Sequence, residues 1–456
     1  MDLGMVVPII MYVGALLSCA LSLQRPQAGV YYLVIVLPLQ ALRYDLHAFP
    51  LGASVIDITL LGVALGIFLQ RREPIFADLP MKRLLLASAA YLYLSMWLGS
   101  ISVGLGWPLA LSDPRFTVWK SYVEMSVFFA ASFAAIKTAR QIQAVLALMC
   151  LSVLYVSYDF FQAMYEADLS SFQEGLRQAA MAGNQMGYAG INGFAAFECV
   201  LALFLLGYYN SRLSPLLKAF VLLALVGSIY GVLFAFSRGA YLALAAGVVL
   251  MGLLHKRSFL IVGVAAALIA VMALPAVRER INGTYVQSEG SSDTTLESSA
   301  QERVIIWQDA LELIKASPWV GSGFDTYRYM HRSLGYGDTH NYYLKVLVEQ
   351  GVLGLMLFLA VVWRMFLQGY ELFRRTVDPL SSSLGMGFCV CIAGAAVVNV
   401  FGDRWTYQQV DSYLWILLAI VCRARLLRGK AETECRLREE ADSQGSVFAA
   451  VASHAL

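Results

Sequence analysis

The chain has 456 residues, of which 59% are hydrophobic and only 14% charged, and its formal net charge is +2. Soluble globular proteins average about 45–50% apolar and about 25% charged residues, so this composition excludes an ordinary soluble domain. The apolar residues form long runs, without the alternation of barrel strands. Such runs predict membrane-spanning helices and argue against an outer-membrane barrel.

Thirteen apolar segments approach the ~20 residues that a helix needs to cross a bilayer. In chain order they are residues 5–23, 28–42, 51–70, 84–105, 118–137, 142–163, 188–208, 216–236, 239–254, 258–276, 343–367, 382–401 and 410–423. The segments 28–42 and 410–423 are short, so they are predicted to be tilted or re-entrant. We predict an all-α integral membrane protein, a polytopic bundle of about 12–14 transmembrane helices.

Lysine and arginine accumulate in alternate links between these segments, from Arg25 to the C-terminal tail. Cytoplasmic loops retain positive charge, so these links are predicted to be cytoplasmic. The N-terminus and two polar loops then lie on the opposite, outer face of the membrane. The predicted division is N-terminal transmembrane helices over 1–276 with a small outer-face loop near 165–187, a large outer-face loop over 277–342, C-terminal transmembrane helices over 343–423, and a disordered cytoplasmic tail over 424–456.

The large loop is too long and too patterned to be a simple connector. Its first part, Gly283–Ser299, is rich in Ser, Thr, Glu and Gly and is predicted to be mobile. Ser299 followed by Glu302 predicts a capping box, which opens an amphipathic helix over residues 303–315. Helical spacing places four residues of this helix on one face: Arg303, Trp307, Ala310 and Ile314.

Three arginines of the predicted outer face are candidate anion ligands. Arg238 lies in a hairpin between two apolar spans, where it either extends to lipid headgroups or binds phosphate through its planar guanidinium. Arg303 lies on the apolar stripe of the loop helix, where it is either a stacking residue or the partner of an anion. Arg177 belongs to the smaller loop, either as an ordinary loop residue or as a third positive contact.

His340 is the candidate general base, because the pKa of an ordinary imidazole, about 6.5, suits proton transfer near neutral pH. It lies where the large loop re-enters the membrane, and a structural role is the alternative. Asn341 beside it and Trp307 on the loop helix are predicted to contact substrate. A further polar group, Asp403-Arg404-Trp405, is explained by an ion pair within its own link or by an interfacial anchor.

Motifs for several other chemistries are missing. The seven cysteines lie in apolar segments or the tail, and no His/Cys cluster has metal-ligand spacing. Neither a Walker A sequence nor a dinucleotide fingerprint is present. No cofactor, no metal and no nucleic-acid partner are predicted.

Five short motifs occur in a characteristic order: Ser237–Tyr241, Arg303–Ala310, Pro318–Gly323, His340–Leu344 and Glu349–Gly354. Their order and spacing resemble those of the O-antigen ligase and O-antigen polymerase superfamily, over roughly residues 190–400. The resemblance implies a metal-independent glycosyltransferase of the bacterial inner membrane, with an undecaprenyl-diphosphate-linked glycan as donor on the periplasmic face. It also implies that the positions matching Arg238 and Arg303 bind the diphosphate and that His340 is the base.

The acceptor is not specified by the motifs. A glycan, a lipid A–core or, in a related enzyme class, a protein would fit the resemblance. A membrane transporter or flippase of a small solute or lipid-linked sugar is the alternative of another class. Transporters place polar groups near the bilayer midplane, whereas here they gather in one loop.

Overall fold

The computed structural model describes residues 3–39, 45–70, 78–109, 112–168, 170–173, 190–283, 285–287, 294–332, 335–375, 378–429 and 433. The helices of the first half are α1 (Leu3–Ser22), α2 (Gln27–Val36), α3 (Val55–Leu69), α4 (Lys82–Ser102), α5 (Pro114–Ala135), α6 (Ala139–Met164) and α7 (Ile191–Tyr208). Those that follow are α8 (Pro215–Phe234), α9 (Arg238–Leu254), α10 (Ser258–Ala273), α11 (Pro275–Asn282), α12 (Ser298–Ala316), α13 (Tyr342–Arg374), α14 (Pro379–Val398) and α15 (408–429).

Every one of the thirteen predicted apolar segments contains a helix, which confirms the class of a polytopic helical membrane protein. Among the described residues, 7 helices are long and apolar enough to cross a membrane, or up to 8 if the bent pair α10–α11 counts as one span. Segment 28–42 contributes only the 10 residues of α2, whereas 410–423 lies within the longer α15. The total of about 12–14 crossings stays a prediction.

Helix α7 lies at the centre of the bundle, where it packs against α8, α9 and α14. It approaches α14 closely: a Cβ added to Gly207 would lie 2.4 Å from the Cα of Gly387. Small residues at such crossings let two helix backbones approach closely, which favours van der Waals packing inside a bilayer. The packing places the end of α14 beside the start of α9.

Contacts between helix ends show an alternating chain path. At one end of the bundle, Arg423 of α15 donates to the carbonyl of Phe133, and Arg425 pairs with Glu371. At the other end, the backbone N–H of Tyr342 donates to the carbonyl of Asn399 at 2.9 Å. Residues 424–429 continue α15, so the boundary predicted for the tail, at 424, was too early. Of residues 430–456, only 433 is described.

The large loop begins with a sharp turn of 97° between α10 and α11. Part of the stretch predicted to be mobile forms an antiparallel hairpin, β1 (Tyr285–Gln287) and β2 (Thr294–Leu296). Helix α12 then starts at Ser298, earlier than predicted, and ends at Ala316. The predicted capping box was wrong: Ser299 donates to Glu297 at 3.2 Å, and Glu302 accepts from a tyrosine hydroxyl.

The backbones of two of the quoted motifs, Pro318–Gly323 and Glu349–Gly354, pack directly against each other. Helix α13 is interrupted at Gly351, whose φ of 65° is left-handed, and a Cβ there would lie 2.3 Å from the carbonyl carbon of Trp319. Gly321, also at positive φ, would clash in the same way with Glu349. Only glycine permits both the conformation and the close approach. These motif residues therefore hold the loop against the first turns of α13.

Candidate active site

A cavity of about 480 Å³ opens where the large loop meets the helix ends. Arg238, Arg303 and His340, which come from separate stretches of sequence, all line it. The other lining residues are Asn192, Ala196, Ser237, Gly239, Ala240, Arg280, Glu297, Ser298, Ser299, Glu302, Tyr336, Val398, Phe401 and Arg404. The structure thus brings together the three residues for which chemistry was predicted.

Two helices begin at the wall of the cavity. Arg238 is the first residue of α9, and the first turns of α12 supply Ser298, Ser299 and Arg303. The first N–H groups of a helix have no partner within it, and its dipole places partial positive charge at that end. Helix starts therefore attract phosphate groups, so the backbone reinforces the arginine side chains.

Arg238 and Arg280 share one carboxylate. Arg238 contacts Glu297 at 2.5 Å and Arg280 contacts it at 3.1 Å. Arg280 also donates to the carbonyl of Phe236, which lies just before α9 at a left-handed φ of 51°. Burial raises the pKa of Glu297, but the hydrogen bonds and charges of Arg238 and Arg280 outweigh burial and hold it below its ordinary value. Glu297 therefore neutralises part of the positive charge of both arginines.

Arg303 and Arg404 have no such counter-ion. Neither guanidinium makes a hydrogen bond or an ion pair with any residue that the structure describes. Burial lowers the pKa of Arg303, and the charges of Arg404 and Arg238 lower it further. Arginine still keeps its charge at neutral pH. The cavity wall therefore carries two partly buried cations whose charge a bound anion could neutralise.

His340 borders this positive region in an uncommon backbone conformation, with φ at 53°. Its Nδ1 atom lies 3.6 Å from Asp338, and its ring packs edge-on against Tyr336. Burial lowers the pKa of His340, and although Asp338 opposes this, the charges of Arg303 and Arg404 add to it. The imidazole is therefore neutral at neutral pH. With a proton on Nδ1, which the Asp338 charge favours, Nε2 is free to accept another.

Trp307 and Asn341, predicted to contact substrate, hold the His340 segment in place and do not line the cavity. The indole of Trp307 donates to the carbonyl of Thr339 at 3.1 Å. The Asn341 side chain caps α13 by accepting from the N–H groups of Tyr343 and Leu344. His340 is thus fixed on both sides by its neighbours. The remaining candidate, Arg177, lies outside the described residues.

Sequence reasoning missed Arg280 and Glu297, and it assigned no chemistry to Arg404. Of the two explanations for the 403–405 link, an ion pair within it or an interfacial anchor, the ion pair was wrong, because Asp403 pairs at 2.6 Å with Lys345. The sequence did contain one indication of Arg404: the predicted topology places its short link on the same side of the membrane as the large loop. Its partners come from distant parts of the chain, which local spacing cannot reveal.

The charge of the cavity wall follows from these residues. Four arginines stand against two glutamates, Glu297 and Glu302, which leaves a surplus of positive charge with His340 neutral. Such a wall can bind an anion with charge on two neighbouring groups and can hold a proton acceptor beside it. Across the described residues, no group of three or more His, Cys, Asp or Glu side chains is placed to hold a metal ion.

Comparison with known proteins agrees with the quoted motifs. Residues 223–359 match the family model described as O-antigen ligase. This range includes Arg238, Arg303 and His340 and ends before Arg404. A search of the curated proteins finds no match. Residues 223–359 of this multi-pass membrane protein are therefore similar to the O-antigen ligase family, in agreement with the order of the motifs.

Proposed function

We propose that the protein is a glycosyltransferase that acts on the periplasmic face of the bacterial inner membrane. It transfers or polymerises glycan from an undecaprenyl-diphosphate-linked donor onto an acceptor hydroxyl during synthesis of O-antigen, lipopolysaccharide or exopolysaccharide. The observation that carries this proposal is the cavity itself, where Arg303, which has no counter-ion among the described residues, lines the same wall as His340. The excess of Lys and Arg in the links at the opposite end supports the periplasmic orientation.

The donor fits the charge of the cavity. A diphosphate linked at both ends carries one negative charge on each phosphorus, and the wall has two more arginines than glutamates. Guanidinium groups bind phosphate through paired, charge-assisted hydrogen bonds. An isoprenoid chain on the donor would remain in the bilayer, which agrees with a site at the ends of membrane helices. Charge neutralisation is assigned to arginine, so the proposed reaction needs no metal ion.

The transfer step breaks one bond and forms one. The acceptor hydroxyl attacks the anomeric carbon, and its proton passes to Nε2 of His340. The bond between that carbon and the diphosphate oxygen breaks, and its electron pair leaves with undecaprenyl diphosphate. Arg238 and Arg303 stabilise the charge that grows on this leaving group, and attack from the opposite side inverts the anomeric centre.

Alanine substitutions test these roles. Arg238→Ala, Arg303→Ala and His340→Ala are each expected to abolish glycan transfer while protein abundance stays unchanged. General-base catalysis alone contributes about 10²–10⁴-fold to the rate. The matched control is Arg278→Ala, because Arg278 is exposed and does not line the cavity. Wild-type polymer in any of the three variants would remove that residue from the mechanism.

The acceptor is tested in a deletion strain by gel analysis of lipopolysaccharide. Loss of all O-chains with accumulation of lipid-linked polymer indicates a ligase, whereas products with a single repeat indicate a polymerase. A loss restricted to exopolysaccharide or to glycosylated protein assigns the acceptor to that class. A strain in which every surface glycan is unchanged contradicts the proposal.

A further inference from the structure

Arg404 is a charged cavity residue that lies outside the family match and has no role in the proposed mechanism. It lies in the short link between α14 and α15, outside the matched residues 223–359. Its side chain nevertheless lines the same cavity wall as Arg303 and His340. The three side chains come from three different stretches of the chain, so only the fold brings them together.

The backbone of Arg404 is held rigidly beside the His340 segment. The buried amide of Asn399 accepts from the N–H groups of Arg404 and Trp405, each at 3.0 Å. The carbonyl of Asn399 accepts from the N–H of Tyr342, two residues after His340. The position of Arg404 is therefore tied to that of the candidate base.

The guanidinium of Arg404 is kept available for a ligand. Its acidic neighbour Asp403 is engaged by Lys345 at 2.6 Å. The Arg404 guanidinium lies against Gly402, where an added Cβ would come within 2.9 Å of Nη2. No ion pair or hydrogen bond joins this guanidinium to the described parts of the chain. A cation built into a cavity wall without a partner is costly to leave unpaired, so a bound anion would stabilise it.

We propose that Arg404 is a further donor-binding residue, which binds the donor diphosphate together with Arg303. This inference rests on the proposed function. Arg303 and Arg404 form the free half of the cavity wall, whereas Arg238 and Arg280 must first exchange Glu297 for phosphate. The charge of Arg404 also contributes to the lowered pKa of His340. Its loss is therefore expected to affect donor binding and the pH dependence of transfer together.

The binding test uses purified full-length protein in lipid nanodiscs with undecaprenyl diphosphate as the probe. Arg404→Gln is expected to weaken binding about 10- to 100-fold, the loss typical of a charged hydrogen bond. Arg404→Lys keeps the charge and should retain most of the affinity. Arg278→Gln, at an exposed position away from the cavity wall, is the control and should bind like wild type.

Gly402→Ala provides a second variant, in which every charge of the cavity is kept. The added Cβ displaces the guanidinium, so binding is expected to weaken severalfold. Melting temperatures of all variants show whether they are folded. A folded Gly402→Ala or Arg404→Gln variant with wild-type affinity would speak against a ligand at this guanidinium.

The kinetic test separates binding from a structural role. Arg404→Gln should raise KM for the donor, and it should move the acidic limb of the pH–activity profile to higher pH because the His340 pKa rises. Arg404→Lys should leave that limb in place. Unchanged binding, KM and pH limb in Arg404→Gln, with binding lost in Arg303→Gln, would overturn the role of Arg404 alone. A wild-type protein that neither binds the probe nor transfers glycan would overturn the proposed function as well.

Discussion

Two charged clusters lie in the same part of the molecule, and they differ in how their charges are compensated. In the first, termed the paired cluster, Lys345 contacts Asp403 at 2.6 Å and Arg328 contacts Asp325 at 2.5 Å. Glu349 completes it by accepting from the backbone N–H groups of Asp325 and Tyr327. In the second, the cavity wall, Glu297 pairs with two arginines, and the other two have no counter-ion within the part of the chain that the structure describes.

The difference separates structural from functional charge. Each cation of the paired cluster has its own carboxylate, and the cluster connects the loop to α13 and to the 403–405 link. Among the described residues, both cations of this cluster are thus already paired and are not left for an anionic ligand. The cavity wall instead retains positive charge beside a neutral imidazole, an arrangement that a bound anion would complete. Arginine content alone would not distinguish the two clusters, whereas the pairing does.

The largest expected effect comes from breaking the paired cluster. Lys345→Met leaves the buried Asp403 without its partner, which typically costs about 3–5 kcal/mol. We expect a clearly lower melting temperature of the purified protein in detergent. The double variant Lys345→Met/Asp403→Asn removes both charges but keeps an acceptor for the N–H of Thr406, so stability should recover. An unchanged melting temperature in the single variant would contradict a stabilising role of this pair.

The next effect concerns the carboxylate of the cavity wall. Glu297→Gln frees Arg238 and Arg280 for phosphate, because each loses an ion pair of up to ~1 kcal/mol. The affinity for undecaprenyl diphosphate is expected to rise about tenfold at low ionic strength. Glu312→Gln, at an exposed residue of α12, is the control. Weaker binding in Glu297→Gln would mean that Glu297 mainly positions the two arginines.

A smaller effect is expected where Trp307 supports the His340 segment. Trp307→Phe removes the hydrogen bond to Thr339, worth about 1 kcal/mol. The transfer rate should fall about fivefold, while affinity for undecaprenyl diphosphate stays unchanged because the arginines are not disturbed. Trp363→Phe, at an exposed position on α13, should behave like wild type. A loss of affinity equal to the loss of rate would indicate that Trp307 contacts the donor.

The smallest effect is a shift in pH dependence. Since burial and nearby arginines lower the pKa of His340, the base is lost on acidification only below the ordinary imidazole pKa of about 6.5. The acidic limb of kcat/KM should therefore lie below that value in wild type. Arg303→Gln removes a positive charge and should raise the His340 pKa, whereas Arg303→Lys should not; NMR titration of the imidazole measures this without requiring activity. A His340 pKa that stays fixed in Arg303→Gln would contradict the electrostatic effect of Arg303 on this imidazole.

Hydropathy and short motifs, which are local properties of the chain, were sufficient to predict the helices and part of the candidate site. Hydropathy located all thirteen helical segments, because apolar length is a property of a short stretch of chain. The motifs identified Arg238, Arg303 and His340 from their residue types and order. Local reasoning failed at Ser299, where a capping box was predicted, because Glu297 beside it is held by Arg238 and Arg280 and takes the serine hydroxyl as well.

The amino-acid sequence by itself determined the membrane class, the helical segments and the family resemblance, since each depends on hydrophobicity or motif order along the chain. Only the tertiary structure decided which charges are paired. Asp403 pairs with Lys345 across 58 positions and Arg238 with Glu297 across 59, whereas Arg303 and Arg404 line the cavity wall with no ion pair to the described residues. Compensation of a charge depends on which groups lie within a few ångströms, and folding brings those groups together from distant positions.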